Sequence, residues 1–305
     1  MFKVAAKFVH VTNDGVRMAR RALGTYTRYA YYSLTDRKGR QPSSSSKTLV
    51  PYQPQYNLEY DSPEDFVHSQ WSNETTSYLI YRMVVAAYFS FMVIYTAMMG
   101  TLGCKIFIML TYWSFYVLTA CQILRALNVW RYRKLKMEGK DIKEHMGKSK
   151  RLKVQWLLYN LSVDTAPIVT ILFWTIAYDG TGKTFINLNT HGVNAVFILV
   201  DLMITRTPLR QSHMYQCCLV GLMYSFFTYL YWLMGGTNHL GQPHIYKVLD
   251  YGKAPGVALC YILAISFIVA PMIHSMIFFL YRFRIFIHRF LKAMDKRSKV
   301  VKDQE

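Results

Sequence analysis

Charge is scarce in this 305-residue chain, and most of it lies between long apolar runs. Asp, Glu, Lys and Arg make up 17% of the residues, against roughly 25% in a typical soluble domain. Hydrophobic residues reach 52% and aromatics 16%. Acidic residues are the scarcer sign, 17 against 36 Lys and Arg, for a net charge of +19. The basic residues flank apolar segments instead of forming one soluble face. That pattern excludes nucleic acid as a partner and fits membrane topology and anionic lipid headgroups. Cysteine is also sparse. Cys104, Cys121, Cys217, Cys218 and Cys260 are odd in number and lack metal-type spacing, which argues against a disulfide framework and a cysteine metal site. No HExxH, GxSxG, P-loop or GxGxxG motif stands in a credible context, so no cofactor is implied. Residues 1–60 lack the sustained apolar core of a secretory signal.

What is present is a series of apolar runs long enough to cross a bilayer. Spanning takes about 20 such residues, because only a helix satisfies its own backbone in lipid. Six runs qualify, at residues 78–102, 106–127, 154–178, 185–205, 215–234 and 257–281. The expected fold is an all-α, polytopic membrane helix bundle of about six transmembrane helices. It divides into a disordered basic tail at 1–65, a transmembrane domain at 66–285 and a basic C-terminal tail at 286–305. Within the first tail, residues 4–23 read either as a short basic amphipathic helix or as solvated chain.

Orientation follows from Lys and Arg in the short loops. The second-to-third loop, RYRKLKMEGKDIKEHMGKSKRLK at 131–153, is densely basic. The fourth-to-fifth loop carries Arg206 and Arg210, and both tails are basic. The alternate loops hold little: Lys105, Lys183, Lys247 and Lys253. Both termini are therefore expected in the cytosol. The sequons at Asn73 and Asn160 then fall on the cytosolic side and inside the membrane, where neither is used. Residues 281–299 set Phe283, Phe286, Ile287 and Phe290 at helical spacing among Arg and Lys, which reads either as a face for anionic inner-leaflet lipids or as a solvated helix end. Cys217 and Cys218, where a helix meets the cytosol, are palmitoylation candidates or buried small hydrophobes.

An ionisable group at bilayer depth costs roughly 2.5 to 3.5 kcal/mol on insertion scales, so it needs a partner or a task. The groups singled out are Asp164, His191, Asp201 and His274. On the fourth span, Asn187, His191, Asn194 and Asp201 are offset by four, three and seven residues, a polar stripe expected to face the bundle interior. Gly192 is expected to let a neighbouring helix come close. His191 lies about 9 Å below the outer end of its span at 1.5 Å per residue, a depth matched by Thr111 on the second span, with Ser114 one turn below. A hydroxyl and an imidazole at equal depth suit either a nucleophile and its base or a hydrogen-bonded pair. On the third span Asn160 and Asp164 share a face, and Pro167 is expected to kink the helix. For Asp164 the choice is a proton relay or a structural bond; for His274 it is a relay partner or a satisfied core histidine. His239, His244 and Asp250 in the outer loop read as a metal trio or as a packed cap.

Four stretches carry a family resemblance: FVHSQW at 66–71, WLLYNLSVDTAPIVTILFW at 156–174, THGVNAVFILVDLMITRTPLRQSHMYQ at 190–216 and GQPHIYKVLDYGKAPG at 241–256. Together they resemble the rolling stone family of multipass plasma-membrane proteins, over about residues 65 to 285. The resemblance implies a role in cell–cell (myoblast) fusion during muscle development. That family is distantly similar to the androgen-induced intramembrane threonine hydrolases, which cleave fatty-acid esters of hydroxy fatty acids. Their nucleophile corresponds to Thr111 in KIFIMLT. Their catalytic His is the last residue of an N-H-G-x-H motif, which here reads Thr190-His191-Gly192-Val193-Asn194, with Asn194 in the catalytic place. Asn does not take up a proton at neutral pH, so the activity is lost or His191 serves as base.

Three functional expectations follow. The first is a non-enzymatic rolling stone-type protein of the plasma membrane. The second is a lipid-ester hydrolase using Thr111 and His191, with a lipid as ligand or substrate in the bundle. The third is a small transporter drawing on Asp164, Asp201 and His274; the chain lacks the internal repeat that such folds carry.

Overall fold

The computed structural model describes residues 55–303 apart from 101, 148, 179 and 181–184. Tyr56–Glu305 forms one compact unit; the other, Met1–Gln55, lies outside the described residues but for Gln55. The reading of 4–23 therefore lies outside them too.

The unit is a helix bundle, and among the described residues it holds no strand, only an isolated bridge between Ser69 and Thr205. We number the helices α1 (Thr76–Met99), α2 (Leu110–Met137), the short α3 (Ile142–Met146), α4 (Lys150–Ala177), α5 (Phe185–Ile204) and α6 (Gln211–Leu233). The last, α7, comprises Pro255–Ala264, a π-helical turn at Ile265–Val269 and Ala270–Lys302. Further π-helical turns close α4 at Phe173–Ala177 and interrupt α5 at Asn189–Val193.

Of the six long helices, five are long and apolar enough to cross a membrane; α2 is not. The second run, expected at 106–127, keeps its place in the bundle, but its helix is displaced towards the C-terminus. Gly103–Ile108 forms a 3₁₀ turn, and the helix starts at Leu110 and runs on to Met137. Its lower half carries Gln122, Arg125 and Asn128, all buried. α2 packs along α1 and α4, so its polar residues meet protein and not lipid. A helix so shielded does not need an apolar composition all round.

The packing is that of a protein dissolved in hydrocarbon. On α1 the outward residues are Ile80, Met83, Val84, Phe91, Ile94 and Met98, while Arg82 and Thr96 point inward. Water would reverse that assignment. α4 is central, touching α2, α5, α6 and α7. It buries Trp156, Tyr159, Val163 and Ala166 completely, or within 1% of it. Pro167 lies inside the helix Lys150–Leu172, which runs through it without a break.

Two of the expected boundaries move. The segment following Tyr56 is packed: Tyr60 sets its ring edge against Phe66 and Trp156, each at 5.6 Å, and Arg210 donates to the Asn57 and Glu59 carbonyls at 2.7 Å. Aromatic stacking onto α4 and two backbone acceptors hold this stretch, although its composition resembles the tail before it. At the other end, α7 passes residue 285 and continues to Lys302, so the C-terminal tail begins as helix.

Candidate functional site

The C-terminal end of α5 organises the site. A helix leaves its last four carbonyls without intrahelical donors, and in a membrane water does not supply them. Each of these carbonyls finds a partner here. Asp201 O accepts from Thr205 N at 2.9 Å. Leu202 O accepts from Arg284 at 2.6 Å, and Met203 O from the Trp71 indole at 2.7 Å. Ile204 O accepts from Gln70 N at 2.8 Å and from the Ser69 hydroxyl at 3.1 Å. The FVHSQW stretch is thus a backbone cap for α5. His68 stands beside it, bonded to Glu64 O at 2.9 Å; burial, the largest influence, holds its imidazole below the usual value.

Around this end lies a sealed ionic cluster. Asp201 binds Arg82 of α1 at 2.6 Å through one carboxylate oxygen and Arg125 of α2 at 2.5 Å through the other. All three side chains are fully buried. Tyr81 donates to Asp201 at 2.9 Å. Arg82 also donates to the Tyr78 hydroxyl at 2.6 Å, and Arg125 to the Thr205 hydroxyl at 2.6 Å. Tyr78 and Thr205 close the ring at 3.2 Å. Three helices are therefore tied at one point by charge-assisted bonds, the strong kind in a low-dielectric interior. The partial negative charge at the C-terminal end of α5 adds attraction for the arginines.

Asp201 was legible in the sequence; Arg82 and Arg125 were missed, though each falls inside an expected span. A single Arg near the end of an apolar window passes as a residue whose long stem snorkels to the headgroups. The signal that was available is arithmetic: Asp201 needed a buried cation, and only spans one and two offered an Arg.

A second polar group links α4, α6 and α7. Asp164 meets His274 Nδ1 at 2.9 Å, and His274 Nε2 meets Arg210 O at 3.0 Å. A carbonyl only accepts, so Nε2 carries a proton. The contact to Asp164 is then either imidazolium with carboxylate or imidazole with carboxylic acid, and the pair is neutral in sum either way. Asn160 donates to His213 at 2.8 Å and to Gln216 at 3.0 Å. Asp164 and His274 are thus partners, while Asp201 is spent on the arginines. Cys217 is buried in the core and Cys218 is half-buried beside it; all five cysteines are free.

At the opposite end stand the residues of the hydrolase comparison. The His191 ring stacks on Phe173, 3.4 Å apart and 4° from parallel, joining two π-helical turns. Its carbonyl accepts from the Trp174 indole at 2.9 Å, while its Nδ1 has no partner. Asn194 receives a bond from Thr170 at 3.3 Å and donates to Thr190 O at 2.8 Å. Thr111 is buried beside the Tyr246 hydroxyl, which accepts from Leu110 N at 3.0 Å. Among the described residues no hydrogen bond joins Thr111 to His191. Ser114 donates to Thr165 at 2.9 Å. The π-helical turn also shifts the phase of the expected stripe: His191, Asn194 and Asp201 are buried, Asn187 only half so.

One expectation is corrected. Gly192 faces open space, and the close helix approach is at Gly221, where an added Cβ would come within 2.9 Å of Ser266 Oγ. In the outer loop His244 faces Asp250 at 3.6 Å while His239 is exposed, and among the described residues no three His, Cys, Asp or Glu side chains gather as a metal site.

Buried charges, lipid-facing aliphatics and self-satisfied helix ends define an integral, multipass helical membrane protein. A family model described as "Protein rolling stone" matches residues 45–300, and the chain belongs to the rolling stone family. Protein rolling stone of Drosophila melanogaster is 28% identical over 208 residues, covering 65% of this chain and 76% of that protein. No solved structure matches.

Proposed function

We propose that this protein acts at the plasma membrane in cell–cell fusion of the myoblast kind, as a non-enzymatic multipass protein with both termini in the cytosol. Membership of the rolling stone family is the observation that carries this reading. The site fits it: the buried charged groups tie helices together and cap helix ends, as a structural framework requires. The basic faces of the 131–153 loop and of α7 would meet anionic inner-leaflet lipids. The test is a cell-mixing assay on fusing muscle precursors lacking the protein, with surface labelling of a tagged copy in the same cells. A several-fold drop in the fusion index, restored by the tagged copy, is expected. An unchanged index, or a copy confined to internal membranes, overturns the reading.

One observation favours a second reading, an intramembrane ester hydrolase: the His191 Nδ1 is buried and unspent. A base needs a free ring nitrogen. A fluorophosphonate probe that labels the wild type but not Thr111→Ala would support it. Equal labelling of both, or none, removes Thr111 as nucleophile.

A further inference from the structure

The ionic cluster at the end of α5 does not balance. Arg82, Arg125 and Arg284 are each fully buried, and among the described residues they are some of the largest completely buried side chains. Asp201 supplies the one carboxylate that pairs with them; among the described residues Arg284 has no ion pair. Arg284 instead donates to two backbone carbonyls, Leu202 O at 2.6 Å and Thr207 O at 3.4 Å. Three guanidinium groups face a single carboxylate, so two positive charges are left uncompensated in a low-dielectric interior. Each such charge costs several kcal/mol unless something neutralises it.

The hydrogen bonds fail to balance in the same place and in the same sense. The Nε–H of Arg82, of Arg125 and of Arg284 are all buried without an acceptor, as is the Gln122 side-chain amide nitrogen. Arg82 donates to Gln122 Oε1 at 3.3 Å, which puts that orphaned amide within the cluster. The Tyr159 hydroxyl is buried without a partner as well. Arg125 lies over the Tyr159 ring, its guanidinium carbon 4.8 Å from the ring centroid, and the hydroxyl lies in the field of Arg125, Arg284, Asp201 and Arg82. What is missing is thus acceptors and negative charge, not donors. Natural interiors leave few polar groups unpaired, and a set this concentrated points to a bound group.

We propose that the arginine cluster at Tyr159 holds one small inorganic anion, of the chloride class. Its size follows from the enclosure. The guanidinium groups are sealed from the surface, so a phospholipid headgroup would have to carry its glycerol and chains into a closed core. A monovalent halide brings charge and accepts several donors at once without directional demands. It would bind the Nε–H groups and the Tyr159 hydroxyl, and so lock α1, α2, α4 and α7 around the end of α5. This inference is independent of the fusion and hydrolase readings.

The test is thermal unfolding of the purified full-length protein in neutral detergent, at constant ionic strength, with chloride exchanged for gluconate. A saturable rise in midpoint of roughly 5 to 10 °C is expected at a hundredfold excess of chloride over its dissociation constant. Bromide should replace chloride. Tyr159→Phe removes one donor and keeps the ring, so it should fold and need several-fold more chloride for the same shift. Arg284→Gln should lose the response altogether. Identical midpoints in chloride and gluconate overturn the proposal. So does a chloride response that Tyr159→Phe and Arg284→Gln leave unchanged, because the ion then sits elsewhere. A midpoint that rises with added anionic phospholipid but not with halide overturns it in favour of a lipid headgroup.

Discussion

Arg125 gives one guanidinium nitrogen to Asp201 at 2.5 Å and another to Thr205 at 2.6 Å, so a single side chain of α2 grips both the last inward turn of α5 and the residue that ends it. Asp201 and Thr205 are four residues apart, so both lie on one face at the end of α5, and the planar guanidinium offers a donor to each. Lysine would have to offer both bonds from a single nitrogen, without the fixed fork of the guanidinium.

The cluster should therefore respond asymmetrically to mutation. Asp201→Asn leaves two buried arginines without a counter-charge and should destabilise the protein by about 3 to 5 kcal/mol. The triple change Arg82→Met, Arg125→Leu, Asp201→Leu removes the charges together and should cost less than Asp201→Asn alone. Unfolding midpoints in detergent decide this; a triple variant worse than the single one contradicts the account.

The two glycines should behave in opposite ways. Gly221 packs against the π-helical turn of α7, with Ser266 Oγ 2.9 Å and Ser266 Cα 3.7 Å from where a Cβ would stand. Gly221→Val overfills that contact and should cost about 1 to 3 kcal/mol. Gly192 has open space around the same position, so Gly192→Ala should be neutral or gain up to about 1 kcal/mol from helix propensity. The same melting experiment ranks them, and equal effects would refute the difference in packing.

Glu74 gives a pH dependence whose sign can be worked out. It caps the start of α1, accepting from Thr76 N at 2.6 Å, from Ser77 N at 3.0 Å and from the Ser77 hydroxyl. Ser77 first, then Thr76, hold its carboxyl at about 2, below the ordinary 4.5. A lowered folded-state value means that the cap stabilises above pH 4.5 and is lost as pH falls towards 2. Glu74→Gln should flatten the acid limb of the wild-type stability curve in that window. Superimposable curves for the two proteins would show that the cap contributes nothing.

The spans, the family and the cost of buried charge were legible in the chain because each rests on composition or local order. Asp201, Asp164 and His274 stood out as ionisable groups where lipid was expected. Their partners did not. The pairing of Asp164 with His274 joins α4 to α7 across 110 positions, and periodicity within one helix carries no information about that distance. FVHSQW was visible as a motif, but its meaning was not: the stretch caps carbonyls more than 130 residues away. The π-helical turn at Asn189–Val193 escaped as well, since a widened turn leaves no mark in apolar spacing.

The sequence by itself determined that this is a membrane bundle, because about 20 consecutive apolar residues have only one way to satisfy their backbone in hydrocarbon. It left open which charges meet. Tertiary structure decided that, by bringing Arg82 and Arg125 from two helices to Asp201 and Arg284 from a third to the carbonyls beside it. Attraction and desolvation act through space, and the spaces between helices are set by packing alone.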